Sequence, residues 1–159
     1  MSVPAIRAAI VARMNTVANI GAVFDYQRYE PRVDALASMY RVTIGGQAGG
    51  QAQIRGWFVS RVSTEEQSPA VGRWQTLHTW RIRGYMSLDD ATASEKTFDG
   101  LIEALRDAFR ADDTLGGVVA STVVPGGEAG LQLTEQAPVI FAGVLCHSAD
   151  LRLVTWLNI

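Results

Sequence analysis

The feature that most constrains the fold is a period-two pattern over residues 74–88. Large apolar side chains alternate there with polar and basic ones. Because successive side chains of a strand point to opposite faces, the pattern predicts a long strand in a sheet with one buried face. The buried face is predicted to carry Trp74, Thr76, His78, Trp80, Ile82, Met86 and Leu88, and the opposite face Gln75, Thr79, Arg81, Arg83 and Ser87.

Two other segments have apolar residues at helical spacing. The first follows Ser2 and Pro4, which suit a helix start, and ends at Gly21. The second follows Asp89 and Asp90, which suit an N-cap, and ends near residues 116–117. Their apolar positions are Ile6, Ile10, Met14 and Val17 in the first helix, and Phe98, Leu101, Ile102, Leu105 and Phe109 in the second.

The rest of the chain reads as strands and their connections. Residues 23–38 are predicted to be irregular with an extended piece around Phe24, and residues 45–50 and 64–73 to be a glycine-rich hairpin tip and a polar loop. Further strands are predicted at residues 40–44, 53–63, 118–124, 131–133, 139–146 and 151–157, the last two joined through a turn or bulge at 147–150. We therefore expect one α+β domain over residues 1–159, with two amphipathic helices on one face of a mainly antiparallel sheet.

Composition excludes several classes of protein. The chain has 159 residues, a formal charge of −2 and a pI of about 5.6, so no global positive field favours nucleic acid. Cys146 is the single cysteine, which excludes an intrachain disulfide. Arg7 and Arg13 interrupt the N-terminal apolar pattern, unlike a signal peptide, and no apolar stretch is long enough for a membrane span. We expect synthesis in the cytoplasm and no membrane partner.

No set of residues predicts catalytic chemistry, a metal site or a cofactor. His78 and His147 are the two histidines, and neither has acidic neighbours at ligand spacing. Cys146 and His147 look like a nucleophile and its base, but neighbours on a strand point to opposite faces. The glycine-rich tract at residues 45–50 lacks the Lys-Ser/Thr and helix start of a phosphate-binding loop.

Two groups of charged residues, the arginines of the strands and the acids near the second helix, can each be interpreted in two ways. Arg55, Arg61, Arg81 and Arg83 fit either a nucleic-acid groove or the solvent-exposed side of a sheet, and the second is favoured because the tryptophans fall on the other face. Eight acidic residues on or near the second helix fit a solvated helix face, or an acidic wall that repels DNA in a channel. The solvated face is favoured.

Large apolar side chains on both faces of the predicted hairpin raise a further question. Trp57, Val59 and Tyr85 fit either a sheet that the chain's own elements cover on both sides or a contact between subunits. With two predicted helices for cover, the subunit contact is slightly favoured.

Three stretches of the chain resemble the tail terminator proteins of bacteriophages with long, non-contractile tails. Together they cover about half of the sequence. The first stretch is the opening helix with Ile6-Arg7-Ala8-Ala9-Ile10. The second begins with the strand Trp74-Gln75-Thr76-Leu77-His78, continues with the helix through Phe98, Leu101, Leu105 and Phe109, and ends with Asp112-Asp113-Thr114-Leu115. The third is the closing strand Ser148-Ala149-Asp150-Leu151-Arg152-Leu153-Val154-Thr155-Trp156.

This resemblance implies a virion protein without enzymatic activity or cofactor. It implies a homohexameric ring that caps the head-proximal end of the tail tube, stops tube polymerisation and binds the head connector, while DNA merely passes through the lumen. Unpaired sheet edges, expected within residues 40–63 and 151–157, could join the subunits. The expected assembly residues are Trp57, Val59, Tyr85, Arg81, Arg83, Gly46, Gln47, Gly49, Leu151 and Leu153. The alternatives are another head–tail joining, tail completion or neck protein, and a small non-enzymatic binding domain.

Overall fold

Six strands and three helices build the fold in this computed structural model, which describes residues 2–44 and 52–159. The helices are α1 (Val3–Met14), α2 (Val33–Tyr40) and α3 (Ser94–Ala111), with a 3₁₀ turn at Asp90–Thr92 before α3. The strands are β1 (Ala22–Phe24), β2 (Arg41–Thr43), β3 (Ala52–Ala70), β4 (Arg73–Ser87), β5 (Gln132–Phe141) and β6 (Val144–Asn158).

All six strands belong to one sheet with the order β1-β3-β4-β6-β5. Strands β3, β4, β6 and β5 pair antiparallel, β1 pairs parallel with β3, and β2 pairs antiparallel with the start of β3. The predicted α+β class with a mainly antiparallel sheet is confirmed.

Helices cover both faces of this sheet. We call the face under α1 and α3 the major face; its core includes the predicted stripe of α3 and Ile6, Ile10 and Met14 of α1. The opposite, minor face is covered at one end by α2, over Ile54, Phe58 and Cys146. Two helices therefore share one face as predicted, and a third, which the sequence prediction lacks, covers the other.

The β3–β4 hairpin is longer than predicted. Residues 64–70 continue β3, and the chain reverses at Val71 and Gly72, so the polar loop predicted at 64–73 is wrong. These residues pair with β4 but extend past the helices, so both of their faces meet water. Polar side chains on both faces hide the strand from a search for buried alternation.

The C-terminal half also differs from prediction. Residues 118–124 form no strand and make only isolated bridges, at Ser121 and Val123. The turn between the last two strands lies at Ala142 and Gly143, while residues 147–150 lie inside β6. Those four residues were predicted to be a turn because they are small or polar. In the structure their polar side chains have partners; for example, the Ser148 hydroxyl donates a hydrogen bond to the Ala137 carbonyl.

Candidate assembly surfaces

The apolar residues proposed for subunit contact lie inside the chain. Trp57, Val59, Leu151 and Leu153 are at most 1% exposed on the major face, and Tyr85 is 7% exposed under α2. Trp57 Nε1 donates to the Ile20 carbonyl at 2.9 Å. Their apolar character therefore reflects a sheet covered on both sides by the chain's own helices, and the preference for a subunit contact is corrected at these five side chains.

Arg81 and Arg83 lie on the part of the minor face that α2 leaves open. Arg81 donates to both carboxylate oxygens of Asp150, at 3.2 and 2.8 Å, and the Arg83 Nε lies 3.4 Å from the same carboxylate. The hydrogen bonds that Arg81 donates to Asp150 raise the pKa of Arg81. Both cations are paired with an acid, which suits the solvent-exposed side of a sheet.

A shallow groove of about 450 Å³ lies over this open sheet face. Its walls carry both charge signs, including Glu65, Arg81, Asp150 and Arg152. Mixed charges of this kind do not form the continuous basic path that a polyanion needs. The remaining predicted assembly residues, Gly46, Gln47 and Gly49, lie outside the described residues.

Cys146 and His147 point to opposite faces, as predicted. Cys146 is fully buried in the cluster under α2, and burial raises the pKa of its thiol to about 11. His147 lies on the major face, where its ring stacks on Phe98 with centroids 5.7 Å apart. The two side chains do not form a nucleophile–base pair.

A serine–histidine contact, which the sequence did not reveal, lies at the start of α3. Ser94 Oγ lies 2.7 Å from His147 Nε2 and accepts a hydrogen bond from the Asp89 backbone N–H at 2.8 Å. Such pairs can serve nucleophilic catalysis. Here both residues are at most 9% exposed, so the contact joins the start of α3 to β6. The partners are 53 positions apart, which is why no local motif marks them.

The second histidine, His78, anchors the middle of the β3–β4 hairpin. Its Nδ1 lies 2.9 Å from Thr64 Oγ1, and burial, assisted by Arg61, lowers its pKa. Across residues 2–44 and 52–159, no three His, Cys, Asp or Glu side chains are grouped so that they could hold a metal ion.

The outer part of the β3–β4 hairpin is the most exposed extended element. Strand β1 pairs with β3 as far as Phe58, and Arg7 then donates to the Val59 carbonyl at 3.3 Å. Beyond that point, no other described strand pairs with the outer edge of β3 over residues 60–70. We call residues 60–74 the ribbon; its exposed apolar side chains are Val62 (63%), Val71 (104%) and Trp74 (54%).

A second unpartnered surface runs along α1. The helix is apolar around most of its circumference, so the predicted amphipathic character holds for α3 but not for α1. Its two charges have partners in this chain: Arg7 donates to the Asp25 and Val59 carbonyls, and Arg13 pairs with Asp112. The outward positions Pro4, Ala8 and Ala12 are exposed.

Beside this helix lies a groove of about 400 Å³, which we call the α1 groove. Residues of α1 form one wall, and β1 with the segment after it forms the other. It is lined by Ala8, Val11, Ala12, Asn15, Val23, Phe24, Asp25, Tyr26 and Arg28.

The predicted sheet edges need one correction. Residues 151–157 of β6 lie between β4 on one side and β5 or the Ser121 segment on the other, so they are interior. Strand β5 pairs with β6 alone among the described strands, and it contains Pro138, which has no N–H, and a bulge near Thr134. The outer edge of β3 over residues 60–70 likewise has two register shifts and a proline, Pro69. The described sheet therefore has two long free edges, β5 and the ribbon.

Neither a protein-family model nor a curated protein matches this chain. None of the helices in the described residues is both long and apolar enough to cross a membrane.

Proposed function

We propose that this protein is a structural subunit that assembles with copies of itself into a ring at the head-proximal end of a phage tail tube, where it ends tube polymerisation and binds the head connector. The role in the tail comes from the sequence resemblance to tail terminators. The observation that carries self-assembly is the ribbon, a free strand edge with exposed Val62, Val71 and Trp74.

A free edge of this kind is a recognised means of association. Its unpaired N–H and C=O groups can accept another chain, and apolar side chains on it gain free energy when another surface covers them. A contact between two different surfaces of identical subunits closes into a ring when its rotation divides a full turn. The ribbon provides one surface for such a contact.

The chemistry of the described side chains supports a role without catalysis. The thiol is buried, the serine–histidine contact joins a helix to a strand, and the open sheet face pairs its arginines with Asp150. Partners in this proposal are other copies of the chain, the tube protein and the connector protein.

The first test is the assembly state of the purified protein. Sedimentation velocity and negative-stain electron microscopy are expected to show closed rings of one size. Val71→Asp places a charge on the ribbon tip and is expected to dissociate the ring. Val33→Asp, at another exposed valine (56%), is the matched control and should leave it intact. A monomeric wild-type protein, or equal effects of the two variants, would argue against assembly through the ribbon.

The second test concerns the place of the ring in the virion. Disrupting the gene in its parent phage is expected to give overlong tail tubes, because nothing then stops polymerisation. Normal-length tails detached from filled heads would assign the protein to head–tail joining instead. Intact virions would contradict both roles.

A further inference from the structure

We propose that the ribbon of one copy docks in the α1 groove of the next copy. This inference rests on the proposed ring function and names the surface that receives the ribbon. Both places are available to a partner, because the described residues leave the ribbon tip and the outer wall of α1 uncovered.

The α1 groove has the composition of a protein-binding surface. Arg28 lies over the rings of Phe24 and Tyr26, at 5.2 and 5.3 Å from their centroids, and Tyr29 beyond them is 78% exposed. Tyrosine and arginine are enriched where proteins contact each other. The opposite wall presents Ala8, Val11 and Ala12, which an apolar side chain can contact directly, and Arg7 connects the two walls by donating to the Asp25 carbonyl.

The ribbon tip cannot fill the groove of its own chain. Strand β1 pairs with β3 at Phe58, so the groove lies beside that position, and Ala70 at the tip lies twelve positions further along β3. At about 3.3 Å per residue, the tip lies roughly 40 Å away along the strand. The tip can therefore reach an α1 groove only on another copy, and a contact between two different surfaces closes into a ring when its rotation divides a full turn.

Both surfaces carry charges of both signs. The groove rim has Asp25 and Arg28, and the ribbon near its tip has Glu65, Glu66 and Arg73. None of these five forms an ion pair within the described part of the chain. A docked ribbon can pair both charges of the rim, and this matching favours a second copy of this chain as the occupant.

Disulfide trapping between two variants that each carry one added cysteine tests the contact. Ala12→Cys places a thiol in the groove wall and Val71→Cys places one at the ribbon tip, while Cys146 stays out of the exchange because it is buried. Under mild oxidation, a mixture of the two variants is expected to give at least tenfold more covalent dimer than either variant alone. The matched control mixes Val71→Cys with Ala91→Cys, another exposed alanine.

Ring formation is measured on the same samples, so that the docking site and the ring are tested separately. Rings with the expected dimer support the inference. Three results overturn the docking site while the proposed ring stands. They are rings that form without the expected dimer, rings with an equal amount of dimer from the Ala91→Cys mixture, and rings with dimers from Val71→Cys alone. Absence of rings in the wild-type protein and in both variants overturns the proposed function, and the docking site with it.

Discussion

At the scale of single residues, two glycines make room for aromatic rings in the sheet. Gly84 faces Trp57 across β3 and β4, and Gly56 lies under Tyr40. A Cβ atom at either glycine would lie less than 3.0 Å from ring atoms. Gly84 thus explains the gap in the apolar alternation of β4 between Ile82 and Met86.

The first prediction compares two glycine substitutions. Gly84→Ala should lower the free energy of unfolding by about 3 kcal/mol, the upper end for overpacking, because the Trp57 ring must move. Gly100→Ala, in α3 with nothing within 4 Å, should raise it by about 1 kcal/mol, since alanine favours helix. Urea unfolding of both variants measures this. Equal effects would mean that the Trp57 ring does not lie on Gly84.

Asp112 carries the clearest pH dependence. Its carboxylate accepts hydrogen bonds from the Thr114 hydroxyl and from the backbone N–H groups of Gly116 and Thr114, and it pairs with Arg13. These contacts, led by the Thr114 hydroxyl, lower the pKa of Asp112. A lowered pKa in the folded state means that the stabilisation is present above the pKa of the unfolded chain and is lost as pH falls through the folded value.

The second prediction follows from that sign. Asp112→Asn should be less stable than the wild type at pH 7, and the difference should shrink as pH falls through and below the usual range for aspartate. Urea unfolding of both proteins across pH 2–7 gives the difference at each pH. A difference independent of pH would show that hydrogen bonding, and not the charge, is what Asp112 contributes.

At the scale of secondary-structure elements, the ribbon can be separated from the fold that supports it. Near its tip, Gln67 pairs with Gln75 and, after a register shift, Ala70 pairs with Arg73, and no residue of either core cluster lies in this part. The hairpin near His78 is held by Thr64 and by the core. The tip therefore contributes contact surface more than stability.

The third prediction replaces residues 67–75 with Asn-Gly, which joins Glu66 to Thr76 by a two-residue hairpin turn. Unfolding free energy should change by no more than about 1 kcal/mol, because mainly exposed residues are removed. Self-association in sedimentation velocity should be lost. Loss of folding would show instead that the tip supports the core.

Elements with one buried face were predictable from sequence. The stripe of α3 and the alternation of β4 were found because burial on one side imposes a period. Helix α2 was missed because it spans only Val33–Tyr40 and its N-cap residue, Arg32, makes no side-chain capping bond. Residues 64–70 of the ribbon were missed because they are exposed on both faces of the hairpin.

At the scale of the whole molecule, the candidate surfaces depended on tertiary structure. Sequence shows that Trp57 and Tyr85 are apolar, but only the packing of α1, α3 and α2 shows that the chain itself covers them. Conversely, Ala8 and Ala12 look like ordinary helix residues until the structure shows that they line a groove between α1 and β1. Which apolar residues stay exposed depends on how the helices pack on the sheet. The local sequence period carries no information about that packing.

The lack of a second layer over the ribbon also sets its local stability. An exposed two-stranded extension opens at a small free-energy cost, so its amide hydrogens should exchange with deuterated water far faster than those of β4 and β6 in the core. Assembly would slow that exchange at residues 60–74 and leave the core unchanged. Exchange measured by mass spectrometry would then report, peptide by peptide, when a free subunit has become part of a ring.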